Sequence, residues 1–307
     1  MNAKPLVSVV MNCCNSDRYL KEAIDSVYAQ TFLDWEIIFW DNASTDRSAE
    51  ISKSYDDKLL YFLGNQHVSL GAARNLALEQ CHGKYIAFLD CDDLWLPTKL
   101  EKQVALLEKN PSLGMVYSDS YFFNERGNIR RLYHDKKTLC GNVFKELFAN
   151  YFLDIETVII LRSILDKLPE WFDPRLHVME DADLFLRIAY EYPIDCVNEP
   201  LSRWRVHKNS DTFRRHELFA KESSLVLDKL MALNENFKDQ FSEEITSYRR
   251  HITWLEALSC MRVGQAKQCR LLLRPYLLKS KSFFLLYCLS FLGQKLFCYL
   301  WDKRAGF

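Results

Sequence analysis

The run Tyr85-Ile86-Ala87-Phe88-Leu89-Asp90-Cys91-Asp92-Asp93-Leu94-Trp95-Leu96-Pro97 decides the fold. Its leading residues are apolar or aromatic, rich in β-formers and bounded by Gly83, the pattern of a buried strand. Three carboxylates follow at the strand's C-terminal tip. Pro97-Thr98 ahead of a periodic segment predicts a helix start. Acids delivered to the end of a buried strand suit an open α/β sheet, whose ligands bind along that rim. Asp90, Asp92 and Asp93 repel one another, and a divalent cation held by oxygen ligands supplies the counter-charge. Taken alone, the cluster equally fits a solvated turn in which Asp93 caps the next helix.

The flanking chain repeats the same unit. Apolar runs at 6–11, 36–40, 59–63, 84–89 and 115–118 predict strands. Between the first two, Tyr19, Leu20, Ala23, Ile24, Val27 and Tyr28 recur at helical spacing behind Ser16, the expected cap. Further helices are expected after Thr45, over 71–80 and over 97–109. A strand-helix period of about 25 residues implies parallel strands joined by crossover helices. The strands leave Asn12, Asp41 and the Asp90 cluster at one edge of the sheet, so a single cleft is expected there.

Composition narrows the function. The chain has 307 residues, is 49% hydrophobic and 26% charged, and carries a net charge of -1, so no global basic field argues for nucleic acid. The first residues lack the apolar core of a secretory signal. The ten cysteines are scattered without a CxxC pair, which suits reduced cytoplasmic thiols. With only nine glycines, and neither G-x-G-x-x-G nor G-x-x-x-x-G-K-[ST], a glycine-rich dinucleotide fold and a P-loop ATPase are disfavoured.

After Asp119 the rhythm changes. A hairpin is expected around Glu125-Arg126-Gly127-Asn128, a helix at 143–148 and a strand at 157–161. In Met179-Glu180-Asp181-Ala182-Asp183-Leu184-Phe185-Leu186-Arg187-Ile188, helical spacing sets Asp181 on the face of Leu184, Phe185 and Ile188. Glu180 falls on the other side, with Asp183 and Arg187 as an ordinary surface pair. Leu201 to His207 predicts a short strand ending in a histidine. Beyond about Arg215 only helices are expected, over 217–233, 243–263, 265–279 and 282–301. A boundary therefore falls near 215, separating 1–215 from a helical extension, 216–307.

The motifs, taken together, resemble family 2 glycosyltransferases. They are Val7-Ser8-Val9-Val10, Ser26-Val27-Tyr28-Ala29-Gln30-Thr31-Phe32, Trp40-Asp41-Asn42-Ala43-Ser44-Thr45-Asp46, Gly71-Ala72-Ala73-Arg74-Asn75, Phe88-Leu89-Asp90-Cys91-Asp92-Asp93 and Glu180-Asp181-Ala182-Asp183-Leu184. Their order and spacing match over about residues 5–210. The resemblance implies a GT-A fold: a Rossmann-like, mostly parallel sheet flanked by helices. It also implies nucleotide-sugar donors and a single displacement that inverts the anomeric centre, usually with Mn²⁺ or Mg²⁺.

By that resemblance Asp41 reads the base of the donor, and Asn12 and Asp90 line the donor pocket, Asp90 near the ribose. Asn42 stands where many members carry a second Asp. Arg74 reaches the base or diphosphate. Asp92 binds the metal, with Asp93 and His207 as lesser candidates, and Asp181 is the catalytic base. Cys91 is left as a spacer turned to the core. The chemistry is coherent: a dication at Asp92 neutralises the departing diphosphate, and Asp181 accepts the acceptor's proton. Glycoside hydrolysis by retention would need a second carboxylate at the sugar, whereas the surplus acids here cluster with the metal.

The expected activity is transfer of a sugar from a UDP-linked donor to a glycan or lipid-linked acceptor, in surface polysaccharide or glycoconjugate synthesis. A nucleotidyltransferase on a related fold would want a basic, glycine-rich loop where Asn12-Cys13-Cys14-Asn15 stands. A non-catalytic nucleotide-sugar-binding module would not need the full acid set. In the tail, 255–275 resembles one tetratricopeptide-like hairpin. The uncharged run Ser282 to Gln294 is short of the ~20 apolar residues that span a bilayer. Flanked by Lys279, Lys281, Lys295, Lys303 and Arg304, it reads either as a core helix or as an interfacial helix on the inner face of the cell membrane.

Overall fold

The structure, a computed structural model, describes residues 4–133 and 138–305, with side chains through Trp301. The chain divides into two compact units, Met1–Phe144 with Phe152–Arg205 and Lys145–Tyr151 with Val206–Phe307.

The first unit carries one sheet of nine strands: β1 (Val7–Cys13), β2 (Trp35–Asp41), β3 (Leu59–Leu63), β4 (Tyr85–Phe88), β5 (Leu94–Trp95), β6 (Met115–Asn124), β7 (Gly127–Arg131), β8 (Ile159–Leu161) and β9 (Ile194–Arg205). Their order is β3-β2-β1-β4-β8-β6-β9-β5, with β7 hairpinned on β6. Strands β1 to β4 pair in parallel through helices α1 (Asp17–Tyr28), α2 (Ser48–Ser52) and α3 (Leu70–Glu79), as the repeat predicts. Helix α4 (Lys99–Lys109) leads to β6. Past it the sheet turns mixed: β8 is antiparallel to β4 and β6, while β9 is parallel to β6 and antiparallel to β5. Short helices α5 (Phe144–Ala149) and α6 (Arg162–Leu165) precede α7 (Glu180–Glu191). The fold is α/β of the GT-A type, with helices alone in the C-terminal region.

The core explains the order. Val7, Val9 and Met11 of β1 and Ile37 and Phe39 of β2 are buried with Leu20, Ile24 and Val27 of α1 and Leu100, Val104 and Leu107 of α4. Each such side chain contributes roughly 1.5–3 kcal/mol on burial. Ser16 precedes α1 but its hydroxyl makes no capping bond. The helix end is held from the next crossover instead. The Asp46 carboxylate accepts the Asp17 N–H at 2.9 Å, and the Ser48 hydroxyl accepts the Ser16 N–H at 3.1 Å. A carboxylate there also opposes the positive end of the helix dipole.

The second unit contains α8 (Asp211–Arg214), α9 (Leu218–Met231), α10 (Phe237–Gln240), α11 (Ser242–Arg262), α12 (Ala266–Leu273), α13 (Lys281–Leu289) and α14 (Gln294–Ala305). Gly264, at φ +80°, turns α11 into α12, and Ala257, Met261, Cys269, Leu273, Phe283, Leu286 and Phe297 form one core. The expected single helix over 282–301 is two helices. The chain breaks at Gly293, whose φ of +76° a side chain would resist. The side chains of Lys303 and Arg304 lie outside the described residues. No helix among the described residues is long and apolar enough to cross a membrane.

Candidate functional site

The tips of β1, β2 and β4 meet at one edge of the sheet. Cys13 pairs with Asp41 and Val10 with Phe88, so the residues beyond those pairs share a rim. Asp41 is fully buried; its carboxylate accepts the Ser44 N–H at 2.8 Å and the Tyr61 hydroxyl at 2.7 Å. Asn42 is locked to the Val68 backbone through both ends of its amide. Ala43 takes a φ of +60° to make this turn. Asn12 brings a buried Nδ2 that has no hydrogen-bond partner among the described residues. Buried donors are normally paired, so an orphan at a cleft marks a place for a ligand acceptor.

At the tip of β4 the chain folds sharply, the Asp93 N–H donating to the Asp90 carbonyl at 3.1 Å. Cys91 turns inward and its thiol donates to the Asn12 carbonyl at 3.2 Å, tying the two tips together. Asp90 is about one third exposed and Asp92 half-buried. Asp93 is only 2% exposed and does not cap α4, whose preceding residue is Thr98. Its Oδ1 accepts the Arg205 N–H at 2.7 Å. Burial, with Asp92, Glu156 and Asp90 nearby, pushes its carboxyl well above the usual range. Arg205 holds the same turn through the Asp92 carbonyl at 2.7 Å and reaches Glu22 at 2.8 Å.

Helix α3 explains why Gly71, Arg74 and Asn75 recur together. They face the loop that leads to α7. A Cβ on Gly71 would sit 2.8 Å from the Asp173 carbonyl oxygen, so only glycine lets the backbones approach. Asn75 clasps the Phe172 backbone, donating to its carbonyl at 2.8 Å and accepting its N–H at 3.0 Å. Ser69 accepts the Ala72 N–H and donates to the Pro174 carbonyl. Arg74 lies over the Phe172 ring, pairs with Asp90 at 3.1 Å and bonds Glu180, 106 residues on in sequence. Burial works against the Arg74 charge, but Asp90, Glu180 and Asp181 outweigh it and hold the guanidinium above its ordinary value.

Helix α7 is where the sequence reading needs correction. Glu180 and Asp183, expected on the solvent side, are 4% and 0% exposed. Glu180 is the partner of Arg74. Asp183 pairs with Arg187 at 2.8 Å, but that pair is internal: Arg187 also donates to the Glu170 carbonyl at 2.8 Å and to Trp171. An i, i+4 acid-base pattern is the same on a solvated face and on one covered by a polar loop. Asp181 is half-buried, its Oδ1 accepts the Ala182 N–H at 2.7 Å, and it lies within electrostatic reach of Arg74. Arg74 therefore joins Asp90 at the sheet edge to Glu180 at the start of α7, next in sequence to Asp181. His207 belongs to the second unit, half-buried, with its carbonyl accepting the Ser210 N–H.

Beneath the acidic turn lies a buried polar layer that the sequence did not disclose. Glu156 and Lys99 are 2% and 0% exposed. Burial raises the Glu156 carboxyl well above its usual value and lowers Lys99 to about 7. Lys99 reaches Gln103 and the Thr157 carbonyl.

Residues present at the rim fit a hard dication. Mg²⁺ and Mn²⁺ take one or two protein carboxylates and complete their shells with substrate phosphates and water. Asp92, part-exposed on this tight turn, is such a carboxylate. Residues 8–168 match the profile of glycosyl transferase family 2, and the chain belongs to that family: it is a glycosyltransferase. An uncharacterised glycosyltransferase of Methanocaldococcus jannaschii is 37% identical over 216 residues, covering 68% of this chain and 73% of that one. The Escherichia coli UDP-Glc:alpha-D-GlcNAc-diphosphoundecaprenol beta-1,3-glucosyltransferase WfgD is 30% identical over 194 residues, 63% of this chain and 73% of that one. Among solved structures, the mannosyltransferase PcManGT of Pyrobaculum calidifontis, in complex with GDP-Man and Mn²⁺, matches with a TM-score of 0.62. The match covers 98% of this chain and 89% of that one at 18% identity, a likeness of fold.

Proposed function

We propose that this protein moves a sugar, with inversion, from a UDP-linked donor to a glycan or lipid-linked acceptor in surface polysaccharide or glycoconjugate synthesis. The observation that carries this reading is the junction at Arg74, which bonds Asp90 and Glu180, the residue before Asp181. Donor-side and acceptor-side carboxylates are thereby drawn to one place. The orphan Asn12 donor and the buried Asp41 support a donor pocket beside them. WfgD, a relative at 30% identity, uses a UDP-sugar and a diphosphoundecaprenol-linked acceptor by its name, which supports the donor and acceptor classes.

In this reading Asp41 and Asn12 hold the nucleoside and Asp90 the ribose. Asp92 carries a Mn²⁺ or Mg²⁺ ion that neutralises the leaving diphosphate. Arg74, buried between acids, positions Asp90 and Asp181 more than it grips the donor. Asp93 supports the turn from below through the Arg205 N–H. Asp181 takes the acceptor's proton, a contribution of roughly 10²–10⁴-fold. The sheet-bearing unit, within residues 1–215, forms the catalytic domain, and 216–307 is a helical extension.

That extension is the candidate membrane contact. Leu278, Phe284, Leu285, Phe291, Leu296 and Tyr299 are exposed beside exposed Lys279, Lys281 and Lys295. Apolar side chains with neighbouring cations suit an anionic lipid surface, here the cytoplasmic face of the cell membrane.

The test is calorimetry against a panel of nucleotide-sugars with Mn²⁺. Wild type binds a UDP-sugar in a metal-dependent way, Asp92→Ala loses that binding, and Asp181→Asn keeps it while transfer stops. Full turnover by Asp181→Asn removes the base assignment, and unchanged binding by Asp92→Ala removes the metal assignment.

A further inference from the structure

A second constellation of ligand-bearing side chains lies on the same unit, outside the acidic rim. Cys140, Asp195 and Cys196 bring one donor atom each to within 4.8 Å of one another. Two separate segments supply them. Gly141 and Ile194 exchange backbone hydrogen bonds at 2.7 and 3.0 Å, which sets Cys140 beside the start of β9. Leu139 is held by the Tyr117 hydroxyl, which donates to its carbonyl at 2.8 Å and accepts its N–H at 2.9 Å. Cys196 is paired with Tyr117 in the sheet, and its N–H donates to Asp195 Oδ1 at 2.8 Å. The donors are thus fixed from the backbone of both segments.

We propose that Cys140, Asp195 and Cys196 form a binding site for a thiophilic divalent cation, Zn²⁺, that clamps the 138–143 segment to β9. The two sulfurs are 3.6 Å apart. Zinc-sulfur bonds of about 2.3 Å give a tetrahedral edge of about 3.8 Å, so both thiolates can bind one ion with a shift of a few tenths of an ångström. The carboxylate is a third ligand, and water completes the tetrahedron. Two soft donors and one hard donor select zinc over the Mg²⁺ and Mn²⁺ that an all-oxygen rim prefers.

The alternative use of two close thiols is a disulfide. That requires an oxidant, which the structure does not supply. When a dication binds, both thiols ionise, their protons leave to solvent, and the three anionic donors gain a counter-charge.

The experiment is a cobalt(II) titration of the full-length, reduced protein. One equivalent of Co²⁺ is expected to give the intense thiolate charge-transfer band and the visible bands of tetrahedral coordination, both bleached by Zn²⁺. Cys140→Ser and Cys196→Ser each abolish the charge-transfer band, and Asp195→Asn weakens binding while keeping sulfur ligation. Metal-dependent binding of nucleotide-sugar persists in all three variants, which separates this site from the rim. Circular dichroism in chelator shows whether each variant is folded, and the wild-type titration decides even where one is not. The proposal is overturned if wild type gives no band, if the double variant Cys140→Ser/Cys196→Ser keeps it, or if mass spectrometry finds Cys140 and Cys196 disulfide-linked with no metal retained.

Discussion

The pair between Arg74 and Glu180 lends itself to a double-mutant cycle. Their side chains are 3% and 5% exposed, and Arg74 has Asp90 as a second partner at 3.1 Å. Removing one member of a buried pair costs about 3–5 kcal/mol, chiefly because the other charge stays behind without compensation. Arg74→Met takes the guanidinium away from buried Glu180 and should cost in that range, while Asp90, more than a third exposed, is re-hydrated. Glu180→Leu leaves Arg74 with Asp90, so the loss should be nearer 1–3 kcal/mol. Together the singles sum to roughly 4–8 kcal/mol. The double variant replaces the pair by two apolar side chains and should return to within about 2 kcal/mol of wild type. Urea unfolding followed by circular dichroism measures all four corners. The double variant should stay folded and still fail to transfer sugar, because Asp90 and Asp181 have lost the cation between them. Additivity of the singles to within about 0.5 kcal/mol would mean no coupling, and a fully active double variant would refute Arg74 as the organiser of the site.

Three further outcomes follow from other contacts. Gly71→Ala drives a Cβ to 2.8 Å from the Asp173 carbonyl. It should cost about 1–3 kcal/mol by overpacking and, by shifting the loop that carries α7, lower kcat up to ~10²-fold, with donor affinity held; an unchanged kcat argues against that lever. Lys99 titrates near 7 when folded, below its unfolded value of about 10.4, so the unfolded chain binds more protons between those values. Its contribution to stability should therefore rise with pH from 7 to 10, by at most about 1.4 kcal/mol per pH unit, and Lys99→Met should flatten that limb in chemical unfolding at fixed pH steps. Phe284 and Phe291 are 55% and 65% exposed; replacing both by Glu should reduce co-sedimentation with anionic vesicles, and equal recovery of wild type and variant would exclude the lipid-facing role.

How far the sequence disclosed this protein depends on the range of the interactions involved. Strands β1 to β4 and helices α1, α3 and α4 were legible because a buried face writes its own period into a local stretch, and one neighbour suffices to bury it. The acidic tip of β4 was legible for the same reason: its position follows from the strand it ends. The two-residue β5 was not, since only its pairing with β9 makes Leu94 and Trp95 a strand. Nor was the direction of β8, which pattern alone does not encode. Glu180 and Asp183 failed in a more instructive way. Helical spacing states which residues share a face, and says nothing of what covers the opposite one. Here a loop from 170 to 174 and the Arg74 guanidinium cover it, and the acids expected in water became internal partners. The signal that could have found Glu180 was on α3. An arginine one turn beyond Gly71 and beside Asn75 sits on the helix face that meets another backbone, and a cation there needs more than one carboxylate to repay its burial. Asp90 was one, and the acid-rich start of α7 was a stretch that could offer another. The motif spacing therefore carried the tertiary contact; reading it required asking what each charge in it would be paired with.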